Sequence, residues 1–214
     1  MENQCQNIGF RKAFINILLG IGKKYLQGGT GSIVSLLQEQ NINKVWPDLR
    51  GILKEIDWAV IGGVGLRLYI PERQTQDLDI AVNKNDAKEV RKRLKEARFE
   101  YKGELSCGGS SWFSSEGAVI DVIECSQPWI DIALKEAKKN RDKEDLPIIP
   151  FEYLILMKFT SARVQDIADI TRMLGLSDTE KIERTRQVFR DQLLEDLEDL
   201  ESLIYLGRLE NEKV

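Results

Sequence analysis

Arg73-Gln74-Thr75-Gln76-Asp77-Leu78-Asp79-Ile80-Ala81-Val82 is the stretch on which the reading of this chain turns. Polar and apolar residues alternate from Gln76 to Val82, the period of a half-buried strand. Side chains two apart on a strand leave the same face, so Asp77 and Asp79 stand side by side. Two ionised carboxylates so placed repel unless a cation lies between them. Acceptor-only oxygens in that arrangement suit Mg²⁺ or Mn²⁺. A third acid, Asp121, interrupts the apolar run Ala118-Val119-Ile120-Asp121-Val122-Ile123, an expensive place for an unpaired charge. With its strand beside the first, three carboxylates converge, enough to hold two metal ions for in-line phosphoryl or nucleotidyl transfer.

Upstream, Trp58-Ala59-Val60-Ile61 reads as a buried strand running into Gly62-Gly63, after which Val64 to Tyr69 reads as helical. Bare backbone N–H groups at such a turn suit a polyphosphate. The segment is neither GxxxxGK[ST] nor GxGxxG, since Gly63 and Gly65 are followed by Leu68 and no Lys-Ser/Thr pair comes after. P-loop and dinucleotide-binding readings are set aside.

Composition narrows the chemistry further. The 214 residues contain no histidine, which excludes Ser-His-Asp hydrolysis, Cys-His proteolysis, HExxH metal chemistry and histidine general-base catalysis. Catalysis here must run on carboxylates, Lys, Arg, hydroxyls and hard metals. The net charge of −4, with 42% hydrophobic and 31% charged residues, places the chain in the globular class. Cys5, Cys107 and Cys125 are scattered and form no CxxC pair, which argues against a disulfide framework or a thiolate zinc site and fits a reducing cytoplasm. The longest apolar run, Ala13 to Gly22, contains Asn16 and is too short to span a bilayer. Lys23 and Lys24 follow it where a signal peptide would carry small residues, so no membrane association is expected.

Apolar spacing from Phe10 to Tyr25 predicts a helix, with shorter helices over 32–38 and from Pro47 to Ile56. Further helices are expected over Asp86–Arg98, Trp129–Asn140, Phe151–Leu174 (one helix or a pair) and the tail from Asp178, and further strands around Ser111–Ser114 and Ala118–Ile123. Strands alternating with helices give an α/β or α+β core with a mixed sheet. Three regions are expected: a helical N-terminal extension over 1–45, a catalytic core over 46–174, and an acidic helical region over 175–214 packing on that core.

In combination, Gly62-Gly63, then Arg73-x-Thr75-x-Asp77-Leu78-Asp79-Ile80, then Asp121 on a later strand resembles the DNA polymerase β nucleotidyltransferase superfamily. The form looks most like the minimal and AbiEii/MenT-type nucleotidyltransferases of toxin–antitoxin and phage-defence systems. Leu156-Met157-Lys158 with Ala162, Arg163, Asp166, Asp169 and Ile170 is similar to the helical segment that closes the nucleotide site in that group. The resemblance implies an α+β nucleotidyltransferase core using Mg²⁺ or Mn²⁺ with an NTP as substrate. Asp77, Asp79 and Asp121 would bind metal, and Asp121 would also take the acceptor hydroxyl's proton. Gly62, Gly63, Arg73, Thr75, Lys158 and Asp166 would form the nucleotide site, with Lys158 neutralising triphosphate charge. The acceptor it implies is an RNA, such as a tRNA 3′ end, or a protein hydroxyl, with an antitoxin or other protein as partner. Val64-Gly65 stands where many members carry Thr-Ala or Ser-Ala, so a hydroxyl contact to phosphate is missing.

Two rival functions share these residues: an antibiotic nucleotidyltransferase with a small-molecule acceptor, and a catalytically silent adaptor of the same fold. The intact acid set speaks against the second. Elsewhere the bland reading is preferred. The Lys- and Arg-rich helix from Lys84 to Arg98 is interleaved with Asp86, Glu89 and Glu96 and reads as a solvated face more than a nucleic-acid track. Trp129 reads as core, Arg163 and Asp169 as ion-pair partners, and Gly108-Gly109-Ser110-Ser111 as a turn between strands.

Overall fold

The computed structural model describes residues 46–71, 75 and 77–211. The helices expected over 10–25 and 32–38, together with Cys5 and Arg73, lie outside the described residues. Among the described residues, five strands and seven α-helices follow one another: β1 (Trp58–Val60), α1 (Gly62–Leu66), β2 (Asp77–Asn83), α2 (Ala87–Glu96), β3 (Glu100–Glu104), β4 (Gly109–Phe113), β5 (Val119–Cys125), α3 (Ile130–Ala137), α4 (Phe151–Ser161), α5 (Val164–Leu176), α6 (Thr179–Gln192) and α7 (Leu197–Asn211). The strands form one sheet in the order β1-β2-β5-β4-β3. β2 and β5 run parallel; β1 against β2, β4 against β5 and β3 against β4 are antiparallel. The architecture is thus α+β with a mixed sheet, as the alternation of elements implies.

The described residues separate into two compact units, 46–154 and 155–211, with the division falling inside α4. In the first, the even-numbered residues of β2 and β5 face the main core. Leu78, Ile80, Val82, Ile120 and Val122 pack there with Val60, Trp112, Val90 and Leu94, and with Leu49 and Leu53 from the segment before β1. The odd-numbered residues of the same strands lie on the opposite face, where Asp77, Asp79 and Asp121 are half-buried. Register makes this division all-or-none, because a side chain's face depends on its parity along the strand.

The second unit is helical. Phe159 meets Phe189 edge to face, with ring centroids 5.1 Å apart, beside buried Ile170, Met173, Leu174, Leu200, Leu203 and Ile204. Helices α5 and α7 cross at glycines: a Cβ at Gly207 would lie 2.3 Å from the Thr171 carbonyl oxygen, and one at Gly175 would lie 2.3 Å from the Gly207 carbonyl oxygen. This backbone approach holds α5 against α7 within the second unit.

Other differences are local. Pro47–Ile56 forms turns in place of a helix, joined by Leu53 N–H donating to Leu49 O (2.8 Å) and Ile56 N–H to Leu53 O (3.0 Å), with Glu55 at φ 69°. Strand β3 was not expected; Glu100-Tyr101-Lys102-Gly103-Glu104 is an almost wholly exposed edge strand and carries no apolar alternation to betray it. Gly109-Ser110-Ser111 belongs to β4, and the turn lies earlier, closed by Gly108 N–H to Leu105 O at 3.0 Å. Among the described residues no helix is long and apolar enough to cross a membrane.

Candidate active site

In the parallel pair β2/β5, Asp79 is the register partner of Asp121, and Asp77 that of Val119. Backbone pairing therefore sets two of the three acids level on neighbouring strands, and Asp77 lies two residues away on the same face. One carboxylate oxygen from each of Asp77, Asp79 and Asp121 lies within 4.8 Å of the others, all three residues being half-buried. Two oxygens bound to one Mg²⁺ at about 2.1 Å each can be no more than about 4.2 Å apart, so this spacing is within reach of one or two such ions after small rotamer adjustments. The donor set is all oxygen and formally trianionic, which fits Mg²⁺ or Mn²⁺ in preference to softer metals.

The surrounding groups shape this cluster closely. Gly62 opens α1 at φ +58°, a left-handed conformation that side chains disfavour, and a Cβ there would lie 1.8 Å from Asp79 Oδ2. Glycine at this position thus satisfies the turn and makes room for the carboxylate. A Cβ at Gly63 would lie 2.8 Å from Thr75 Oγ1. The Ile61 N–H donates to the Asp79 carbonyl at 2.9 Å and ties the glycine turn to β2. The first bond of α1 runs from Gly65 N–H to Ile61 O (2.9 Å), so the N–H groups of Gly62 and Gly63 have no acceptor within the helix. Two hydroxyls address the outer acids: Thr75 donates to Asp77 Oδ1 at 3.1 Å, and Ser111 donates to Asp121 Oδ1 at 2.5 Å. Sequence reasoning passed over Ser111. Its signal, a serine on the strand antiparallel to the third acid, becomes legible only once β4 is paired with β5.

Lys158 and Asp166 lie in the helical unit. Lys158 Nζ is buried and donates to Asp166 Oδ1 at 2.9 Å and Asp169 Oδ2 at 2.8 Å. Asp166 also accepts from Arg163 Nε at 2.7 Å and from the Ser161 hydroxyl. Burial pushes the Asp166 carboxyl upward, but hydrogen bonds from Arg163, Ser161 and Lys158 outweigh it and hold the group below its ordinary value. Lys158 is thus engaged by two carboxylates within its own unit; Asp169 pairs with Lys158 and Arg163 with Asp166, the structural ion-pair roles expected for both.

The remaining candidates resolve into structure. Arg91 of α2 reaches Glu104 (2.6 Å) and Glu124 (2.7 Å), Arg93 reaches Glu89 (3.0 Å), and Lys92 lies 3.6 Å from Glu89. Hydrogen bonds from Arg91 and Tyr101 hold the Glu104 carboxyl down at about 2. The basic helix is thus laced by acids, and Trp129 is buried, stacked on Tyr153 at 5.5 Å.

No known protein family and no curated protein matches the sequence. Among solved structures, the chain is similar to the antibiotic-resistance factor ANT(2″)-Ia, in a complex with adenylyl-2″-tobramycin (TM-score 0.43, 15% identity, covering 73% of this chain and 92% of that one). It is also similar to the lincosamide antibiotic adenylyltransferase LnuA with lincomycin bound (0.42, 18%, 61% and 92%). A third is a CCA-adding enzyme in complex with CTP (0.38, 18%, 74% and 47%), of which this chain spans about half.

Proposed function

We propose that this chain is a metal-dependent nucleotidyltransferase that moves a nucleoside monophosphate from an NTP to a hydroxyl of a macromolecule, an RNA (such as a tRNA 3′ end) or a protein. The observation that carries the reading is the convergence of Asp77, Asp79 and Asp121 through the parallel register of β2 and β5. On this reading the three acids hold Mg²⁺ or Mn²⁺. Bound there, the metal supplies positive charge against the triphosphate and the developing charge at the α-phosphorus. Asp121 accepts the proton of the attacking hydroxyl as its oxygen bonds to the α-phosphorus and the bond to the bridging oxygen breaks, releasing pyrophosphate. Gly62 and Gly63 offer their N–H groups to phosphate oxygens. Arg73 and Thr75 precede the acids in sequence, and the sequence resemblance gives both of them, and separately Lys158 and Asp166, a nucleotide-binding role.

The macromolecular acceptor, a toxin–antitoxin setting and a protein antitoxin as partner rest on the resemblance of the Arg73 to Ile80 segment. Incubation of the protein with each α-³²P-labelled NTP, Mg²⁺ or Mn²⁺ and a cell lysate, followed by gel separation, tests the reading. A labelled band removed by RNase, and absent with Asp79→Asn, establishes an RNA acceptor; one removed by protease establishes a protein acceptor. Label on neither, with any nucleotide, overturns the macromolecular acceptor and points to a small molecule or to a catalytically silent adaptor.

A further inference from the structure

Serine 111 stands directly across the sheet from the third acid. Register pairs Ser111 of β4 with Asp121 of β5. The flanking ladder bonds, Ser114 N–H to Ala118 O (2.9 Å) and Glu124 N–H to Gly108 O (3.3 Å), put the hydrogen-bonded pairs of this ladder at even positions of β5. Ser111 and Asp121 therefore form a non-hydrogen-bonded pair, the kind in which facing α-carbons approach to about 4.5 Å and side chains are closest. The Ser111 hydroxyl uses that proximity to donate to Asp121 Oδ1 at 2.5 Å, and the residue is buried, so water does not compete freely for the bond.

A carboxylate beside two others is pushed by their charge towards any rotamer that increases the separation. A charge-assisted hydrogen bond from a rigid strand opposes that displacement. Oδ1 keeps a further lone pair and Oδ2 both of its own. From this geometry we infer that Ser111 is the positioning residue of the site: its hydroxyl fixes the Asp121 carboxylate so that all three acids present oxygens to a divalent cation. The inference rests on the proposed metal-dependent reading and names the residue that assembles its third ligand.

Titration of the full chain with Mn²⁺ alone, followed by electron paramagnetic resonance, tests it beside steady-state transfer kinetics. Groups that orient metal ligands typically influence affinity by about 10- to 100-fold. Ser111→Ala should weaken Mn²⁺ binding at least about 10-fold and lower kcat by a similar factor, with KM for the NTP changed less than about twofold. Ser111→Thr, which keeps the hydroxyl on a residue suited to strands, should restore both. Wild-type Mn²⁺ affinity in a Ser111→Ala protein of unchanged melting temperature overturns the inference, as does a stably folded Ser111→Thr that behaves like Ser111→Ala. Loss of Mn²⁺ binding in Asp79→Asn alone, with Ser111→Ala normal, leaves the metal reading standing while the inference falls. Absence of Mn²⁺ binding by the wild-type chain overturns both.

Discussion

At the scale of single residues, the acids are where chemistry and folding can be separated. Three carboxylates brought together repel one another, so removing one charge relieves that repulsion even as it disables the site. Asp79→Asn should therefore abolish nucleotidyl transfer while leaving the melting temperature equal or higher; a drop of several degrees would make Asp79 a structural residue. Gly62 behaves oppositely. Its φ of +58° and the 1.8 Å approach of a hypothetical Cβ to Asp79 Oδ2 leave no room for a side chain. Gly62→Ala should lower stability by more than about 1 kcal/mol and reduce transfer about 100-fold or more by displacing Asp79, both visible in one melting curve and one activity assay. The thiols offer a third check. Burial pushes the Cys125 thiol up to about 12, whereas Cys107 is exposed. At pH 8, iodoacetamide should modify Cys107 in the native protein and reach Cys125 only after denaturation, as peptide mass mapping would show.

At the scale of elements, the Lys158–Asp166–Asp169 cluster links α4 to α5 and gives stability a pH dependence of definite sign. Asp166 titrates below its unfolded value of 3.8, so its contribution is fully present above that value and is lost as pH falls towards the folded one. Asp166→Asn should cost about 3 kcal/mol at pH 7, since it leaves a buried ammonium with one carboxylate fewer. Its deficit in melting temperature against the wild type should narrow below about pH 4. Elements also show what a sequence discloses. Strand β2 was plain because Leu78 and Ile80 alternate with Asp77 and Asp79, and α5 because its apolar residues recur at helical spacing. Strand β3 was invisible because an exposed edge strand needs no apolar side. The segment 47–56 looked helical because Leu49, Ile52, Leu53 and Ile56 recur at helical spacing, yet that spacing serves equally well to bury Leu49 and Leu53 from successive turns. The three acids of the candidate site were readable from residue type and order. Their convergence was expected only on condition that the two strands are neighbours, which residue order alone does not decide, and the same ignorance of pairing concealed Ser111.

At the scale of the whole molecule, ligand binding and folding are linked. Anything that binds the folded state alone raises its stability by RT ln(1 + [L]/Kd), about 2.7 kcal/mol at one hundred times Kd. Calorimetric melting with increasing Mg²⁺ should show a rising transition for the wild-type chain and none for Asp79→Asn; identical responses from the two would place the cation elsewhere. The pairing of Asp79 with Asp121 in the parallel ladder has one more consequence. A slip of one residue between β2 and β5 would turn the odd side chains of one strand into the core, sending its acid to the opposite face and burying a charge. No partly active form lies between the two arrangements. Recovered turnover after dilution from denaturant would therefore count the molecules whose two central strands had zipped in phase, making this chain its own reporter of correct strand alignment.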